Sequence, residues 1–229
     1  MKLVLFDIDG TLLRGDGSAR RAFEGSLAHV FGSAPDPRVH YDGKTDPQIA
    51  RELMRLAGHD DAAIDARLAD AIDGYLERLR REVSNGSRHF QALPGVAPLL
   101  DALEPRADVV LGLLTGNVAD GAAVKLACAG IEIGRFRVNA FGSDHESRPE
   151  LPRVAQRRAR DLLGHDFEGD AIVVIGDTPA DIDCARWVGA RTLAVATGRY
   201  SVEELAEHAP TTVLPDLTDT DRVVAALLD

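Results

Sequence analysis

Apolar residues in this chain follow two rhythms. Short, mainly apolar runs at Lys2–Phe6, Ala107–Leu114 and Ala171–Ile175 are too brief for stable helices and stop at turn chemistry, so each predicts a buried strand. Longer stretches repeat their apolar residues at helical spacing. They predict helices around 97–103, after Asn117 to about Ala129, over 151–163 and from Pro179 onward. Extended pieces at 137–141, 192–196 and 211–214 complete the series. Strands alternating with helices imply an α/β fold: a Rossmann-like parallel sheet core, right-handed crossovers, and helices on both faces.

One segment departs from this alternation. Leu12–Ser18 reads as a turn-rich connection. From Ala19 to about Phe31 the residues Ala22, Phe23, Leu27 and Val30 recur at helical spacing, until Pro35-Asp36-Pro37 breaks the pattern. Asp46-Pro47 reads as an N-cap followed by proline at the first helical position. Helical spacing resumes through Ile49, Leu53 and Leu56 and, beyond Gly58, through Ile64, Leu68, Ile72, Tyr75 and Leu79. No strand pattern occurs between about residue 18 and Phe90. The expected organisation is therefore an all-helical insert, residues 16–89, interrupting an α/β core made of 1–15 and 90–229.

Composition narrows the partners. A chain of 229 residues has room for one large domain, or for a core domain with a smaller companion. Its formal net charge of -11 disfavours nucleic acid and anionic membranes, which reward basic patches. An anionic small substrate stays open, because a bound metal can dominate the local field. Cys128 and Cys184 are too few for a disulfide framework or a zinc site, and Cys128 reads as a small buried thiol on a helix. No signal-like region precedes the first strand and no apolar run approaches about 18 residues. A cytoplasmic protein without a membrane partner is expected, as monomer or homodimer.

Three of the predicted strands end in small polar clusters flanked by glycine: Asp7 and Asp9, Thr115-Gly116-Asn117, and Asp177 with Asp181. Parallel strands would deliver all three to one edge of the sheet, where ligands bind in open α/β folds. Asp7 and Asp9 repel one another there unless a cation or a proton intervenes. Gly10 lets the chain leave the first strand with torsions that other residues resist. Each cluster also has a bland reading. Asp7 and Asp9 would serve as turn aspartates, Asn117 as an N-cap, and Asp181 as the acid of a capping box begun by Thr178 and Pro179.

The string Asp7-Ile8-Asp9-Gly10-Thr11 resembles motif I of the haloacid dehalogenase superfamily, and Gly176-Asp177-Thr178-Pro179-Ala180-Asp181 resembles its motif IV. An all-helical cap domain inserted directly after motif I is similar to one branch of that family, which includes phosphoglycolate phosphatases. The resemblance implies that Asp7 is a nucleophile forming an aspartyl phosphate. It implies that Asp9 is the general acid and then the base. The second aspartate is present in the family's phosphatases and phosphomutases and absent from its carbon–halogen dehalogenases. The resemblance further implies Mg²⁺ held by Asp7, Asp177 and the Asp9 carbonyl, with Asp181 in support. Thr115 would bind the phosphoryl group, and Thr11, Gly116, Asn117 and the cap's Lys44 would meet substrate.

The family also needs a cation, usually a Lys-Pro pair, which this chain lacks. Arg148-Pro149 stands nearest, Arg153 competes with it, and Lys125 is a remote candidate on the helix after Asn117. Arginine bridges carboxylate and phosphate bidentately, so the exchange is chemically tolerable. Lys44 or Arg20 would face an anionic substrate tail, or both would simply be solvated. The expected activity is Mg²⁺-dependent hydrolysis of a small phosphomonoester. A phosphomutase of the β-phosphoglucomutase type and a catalytically silent binding protein on the same fold are the alternatives.

Overall fold

A computed structural model describes residues 1–84 and 89–229. Residues 85–88, which fall within the expected helical insert, lie outside the described part. The core is a six-stranded sheet in the order β5-β4-β1-β6-β7-β8, with every neighbouring pair parallel. Its strands are β1 (Lys2–Phe6), β4 (Val109–Thr115), β5 (Val138–Phe141), β6 (Ile172–Gly176), β7 (Arg191–Val195) and β8 (Thr212–Leu214).

Strand β1 lies between β4 and β6 and is apolar on both faces, as a central parallel strand must be. Val4 and Phe6 join one core cluster, while Leu3 and Leu5 join the other on the opposite face. The chain passes from β1 to β4 on one side and later to β6 on the other. The order therefore reverses beside β1, and the crevice at the carboxyl ends of these strands is the expected ligand site. Helices α5 (Val96–Leu103), α6 (Ala119–Cys128) and α10 (Thr220–Leu228) cover one face; α7 (Leu151–Leu163) and α8 (Pro179–Arg186) cover the other.

The segment between β1 and α5 is helical, with α1 (Ser18–Phe31), α2 (Asp46–Leu56), α3 (Asp61–Asp65) and α4 (Leu68–Val83). Phe23 of α1 packs edge-on against Tyr75 of α4 at 5.1 Å between ring centroids. The apolar faces of α1 and α4 merge with the core on the β1 side.

Several local expectations are corrected. The connection at Leu12–Ser18 contains β2 (Leu13–Gly15), which pairs antiparallel with β3 (Phe90–Ala92). Each strand is three residues long, too short to register as a period. This ribbon stands where the helical segment leaves and rejoins the sheet. The N-cap of α2 is Thr45, whose hydroxyl accepts from the Gln48 amide at 3.2 Å, so Asp46 lies inside the helix. Leu56 lies outside the apolar stripe at 62% exposure. Cys128 is only half-buried. Helices α9 (Val202–Glu207) and α10 escape an apolar-spacing reading but carry cap signals, a Ser201/Glu204 capping box and Asp219. Among the described residues, no helix is long and apolar enough to cross a membrane.

Candidate active site

The three polar clusters meet. Asp7 follows β1, Thr115 ends β4, Asp177 follows β6, and all three line one cavity of about 550 Å³ with Asp9, Gly116, Asn117 and Arg148. Carboxylate oxygens of Asp7, Asp177 and Asp181 lie within 4.8 Å of one another, and all three residues are buried. The turn after β1 permits this crowding. Gly10 adopts φ 85, and a Cβ there would stand 2.3 Å from Asp177 Oδ2. Only glycine satisfies both the torsion and the space.

Crowding shows in the electrostatics. Burial pushes the Asp7 carboxyl up to about 6, opposed by the Arg148 guanidinium and reinforced by Asp181 and Asp9. Asp177 is raised well above the ordinary carboxylate range, by burial first and by the Asp7 charge second. Buried acids held this close fit a site for a divalent cation bound through oxygen.

Arg148 sits in a short 3₁₀ turn, Arg148–Glu150, just before α7. It is buried, its Nη2 lies 3.1 Å from Asp7 Oδ1, and it also donates to Asp181 Oδ1. Burial alone would lower the guanidinium, but the charges of Asp181 and Asp7 outweigh it and raise it. Arg153 points elsewhere and is exposed, 3.5 Å from Glu150. Lys125 is neither remote nor redundant. Its Nζ donates to Asp9 Oδ2 at 2.7 Å and to Asn117 Oδ1 at 2.6 Å. The two carboxylates of the β1 loop thus each face their own buried cation.

The alternative readings also resolve. Asn117 is no cap: Val118 stands at that position of α6 without a side-chain cap. The Asn117 amide instead donates to Asp9 Oδ2 at 2.7 Å and to Thr115 Oγ1 at 2.8 Å. Asp181 is a cap, since its Oδ2 accepts from the Thr178 amide and hydroxyl at 3.0 and 2.6 Å. It faces Arg148 as well, so both of its oxygens are engaged. Thr11 revises the expectation of a substrate contact. It is fully buried and donates to Asp177 Oδ1 at 3.2 Å, which fixes the acid rather than a ligand.

The sequence signature of the haloacid dehalogenase-like hydrolases matches residues 4–186. The chain belongs to this family. Over 230 residues it is 27% identical to a phosphoglycolate phosphatase of Synechococcus elongatus, covering 100% of this chain and 99% of that one. Over 223 residues it is 27% identical to a 5'-nucleotidase of Pseudomonas aeruginosa, covering 96% and 94%. Among solved structures, CbbY from Rhodobacter sphaeroides in complex with phosphate superposes with a TM-score of 0.71 at 21% identity, covering 96% of each chain. That last likeness speaks for the fold alone.

In this hydrolase the helical segment closes one side of the cavity. The Asp46 amide donates to the Gly116 carbonyl at 2.8 Å, and Asp46 Oδ2 accepts from the Val118 amide at 2.8 Å. Thr45 Oγ1 donates to the Glu146 carbonyl at 2.6 Å, and Arg51 pairs with the Glu146 carboxylate at 2.7 Å. The fit is tight, since a Cβ on Gly116 would stand 2.0 Å from the Lys44 carbonyl oxygen. Lys44 lines the cavity while paired with Glu52 at 2.5 Å. Arg20 also lines it, bound to Glu24 at 2.7 Å and set 4.4 Å over the Tyr41 ring.

Sequence reasoning missed Asp46 as a member of the site, having assigned it to a cap. It also missed the apolar wall formed by Phe23, Ile49, Tyr75 and Phe90. Burial pushes the Asp46 carboxyl up to about 6, with Lys125 opposing. The string Gly43-Lys44-Thr45-Asp46 reads as a polar loop between helical stretches, but it offers Lys44 and not Asp46 as the residue facing substrate.

Proposed function

We propose that this hydrolase is a Mg²⁺-dependent phosphatase that cleaves a small phosphomonoester through an aspartyl phosphate on Asp7, in the manner of a phosphoglycolate phosphatase. The observation that carries this reading is the set Asp7, Asp9, Asp177 and Arg148 around one cavity, with two carboxylates on the loop after β1 in separate environments. The name of the Synechococcus relative, similar over the full chain, supports the substrate class.

In this mechanism an Asp7 oxygen attacks phosphorus, guided by Arg148, which contacts Asp7 and is placed to meet a phosphoryl oxygen. The bond from phosphorus to the ester oxygen breaks, and Asp9 delivers a proton to the departing oxygen. A water then attacks phosphorus, Asp9 takes its proton, and the bond to Asp7 breaks. Thr115, Gly116 and Asn117, which line the cavity in the loop ahead of α6, would meet the phosphoryl group. Asp7, Asp177 and the Asp9 carbonyl would hold Mg²⁺, with Asp181 behind them; bound there, the ion neutralises phosphate and carboxylate charge that cannot otherwise converge. The helical segment 16–89 acts as a cap that excludes water and reads the leaving group, with Lys44 on its loop.

The test is phosphate release from a panel of small phosphomonoesters, phosphoglycolate included, with and without Mg²⁺, for wild type and Asp7→Asn. Mg²⁺-dependent turnover lost in Asp7→Asn is the expected result. Turnover that persists in Asp7→Asn would refute the nucleophile, and no turnover from any ester would refute the activity.

A further inference from the structure

A buried ammonium is unfavourable unless it is paired and hydrogen-bonded. Lys125 has one of the least exposed charged side chains of the protein, at 8%, and the general mechanism above gives it nothing to do. Arg148 already serves Asp7 and the phosphoryl group. The reason for a second buried cation lies in what it touches.

Lys125 Nζ and Asn117 Nδ2 both donate to the same oxygen, Asp9 Oδ2, each at 2.7 Å. Lys125 also donates to Asn117 Oδ1 at 2.6 Å, closing a triangle of hydrogen bonds. Ammonium only donates and carboxylate only accepts, so the triangle fixes which way the Asn117 amide faces. No described residue donates to Asp9 Oδ1, and the Asp9 side chain is 45% exposed beside the cavity. A carboxylate clamped by two donors on one oxygen cannot rotate freely, and its other oxygen is the one left to exchange a proton.

We infer that Lys125 is a positioning residue for Asp9: with Asn117 it holds Oδ2 and thereby presents Oδ1 to the leaving oxygen and, in the second step, to the attacking water. The inference rests on the acid–base reading of Asp9. In the first step the proton on Oδ1 passes to the ester oxygen as its bond to phosphorus breaks. In the second, Oδ1 accepts the proton of the water that displaces Asp7. Without Lys125 the carboxylate swings between rotamers, and both transfers lose alignment.

The two steps separate with 4-nitrophenyl phosphate, whose phenolate departs without needing a proton. The experiment compares wild type, Lys125→Met, Lys125→Gln and Asp9→Asn by rapid mixing with Mg²⁺, each variant first checked for a native circular dichroism spectrum. Lys125→Met is expected to release about one nitrophenolate per active site in a burst and then turn over on the order of 10- to 100-fold more slowly than wild type, part of what a placed acid–base group supplies. KM should fall in step with kcat, leaving kcat/KM for this ester within about twofold, because only the second step is slowed and Lys125 does not act on bound substrate. Asp9→Asn should show the same burst with a deeper stall. A Lys125→Met enzyme whose steady rate stays within about twofold of wild type, while Asp9→Asn stalls, overturns the inference and leaves the role of Asp9 intact. Asp9→Asn turning over like wild type overturns the acid–base reading and the inference with it. A uniform loss of rate in Lys125→Met with no burst indicates a structural role and also overturns the inference. Lys125→Gln carries the same readout where the methionine variant does not fold.

Discussion

Replacing Arg148 with methionine removes the cation at the centre of the acidic cluster. The side chain is 4% exposed, contacts Asp7 at 3.1 Å and also meets Asp181. Methionine fills a similar elongated space, so the main loss is electrostatic: two buried carboxylates remain with no positive partner. Breaking a buried pair in this way costs about 3–5 kcal/mol. For a chain of this size each kcal/mol moves the melting temperature by about 2–4 °C, so the metal-free variant should melt about 6–20 °C lower at neutral pH.

The pH dependence has a definite sign. Asp7 already titrates at about 6 with Arg148 beside it, because burial raises the carboxyl more than the guanidinium lowers it. Without the guanidinium it must rise further. An acid raised in the folded state favours folding below its unfolded value of 3.8, and loses that contribution as pH climbs through about 6. Acidification should therefore relieve the variant more than the wild type. Melts in chelator at about pH 8 and about pH 5, followed by circular dichroism, should show the gap between the two proteins narrowing at the lower value. Equal melting temperatures at the higher pH, or a gap that widens on acidification, would refute the argument.

Two further outcomes follow from the site. Mg²⁺ at about a hundred times its dissociation constant should stabilise the wild type by about 2.7 kcal/mol, or about 5–11 °C. Asp177→Asn should lose that shift in a thermal melt; an undiminished shift would remove Asp177 from the metal site. Gly116→Ala places a methyl 2.0 Å from the Lys44 carbonyl oxygen, an overpacking worth about 1–3 kcal/mol. Amide exchange at Asp46, which donates to the Gly116 carbonyl, should accelerate, and unchanged exchange would show that the loop does not rest on Gly116.

The parallel sheet, the helical character of the segment after the first strand, and the convergence of Asp7, Thr115 and Asp177 are all legible in the residue pattern. These follow from short-range physics: a run of apolar residues ended by turn chemistry locates a strand end, and parallel strands place their ends together. The capping box at Thr178 and Asp181 was equally legible, because its partners are three residues apart. The ribbon of β2 and β3 was not, since its two short strands stabilise each other across the whole helical segment.

Which cation meets which acid depends on packing. The sequence places Arg148 first through the proline that follows it, with Arg153 competing and Lys125 remote, but it cannot say which acid any of them meets. Only packing turns Arg148 onto Asp7 and leaves Arg153 in solvent, and only the approach of α6 to the loop after β1 brings Lys125 to Asp9. The same holds for Asp46, whose partner amide at Val118 is 72 positions away. Charge pairing depends on distances of a few ångströms, and those are set by how elements dock, which no local pattern encodes.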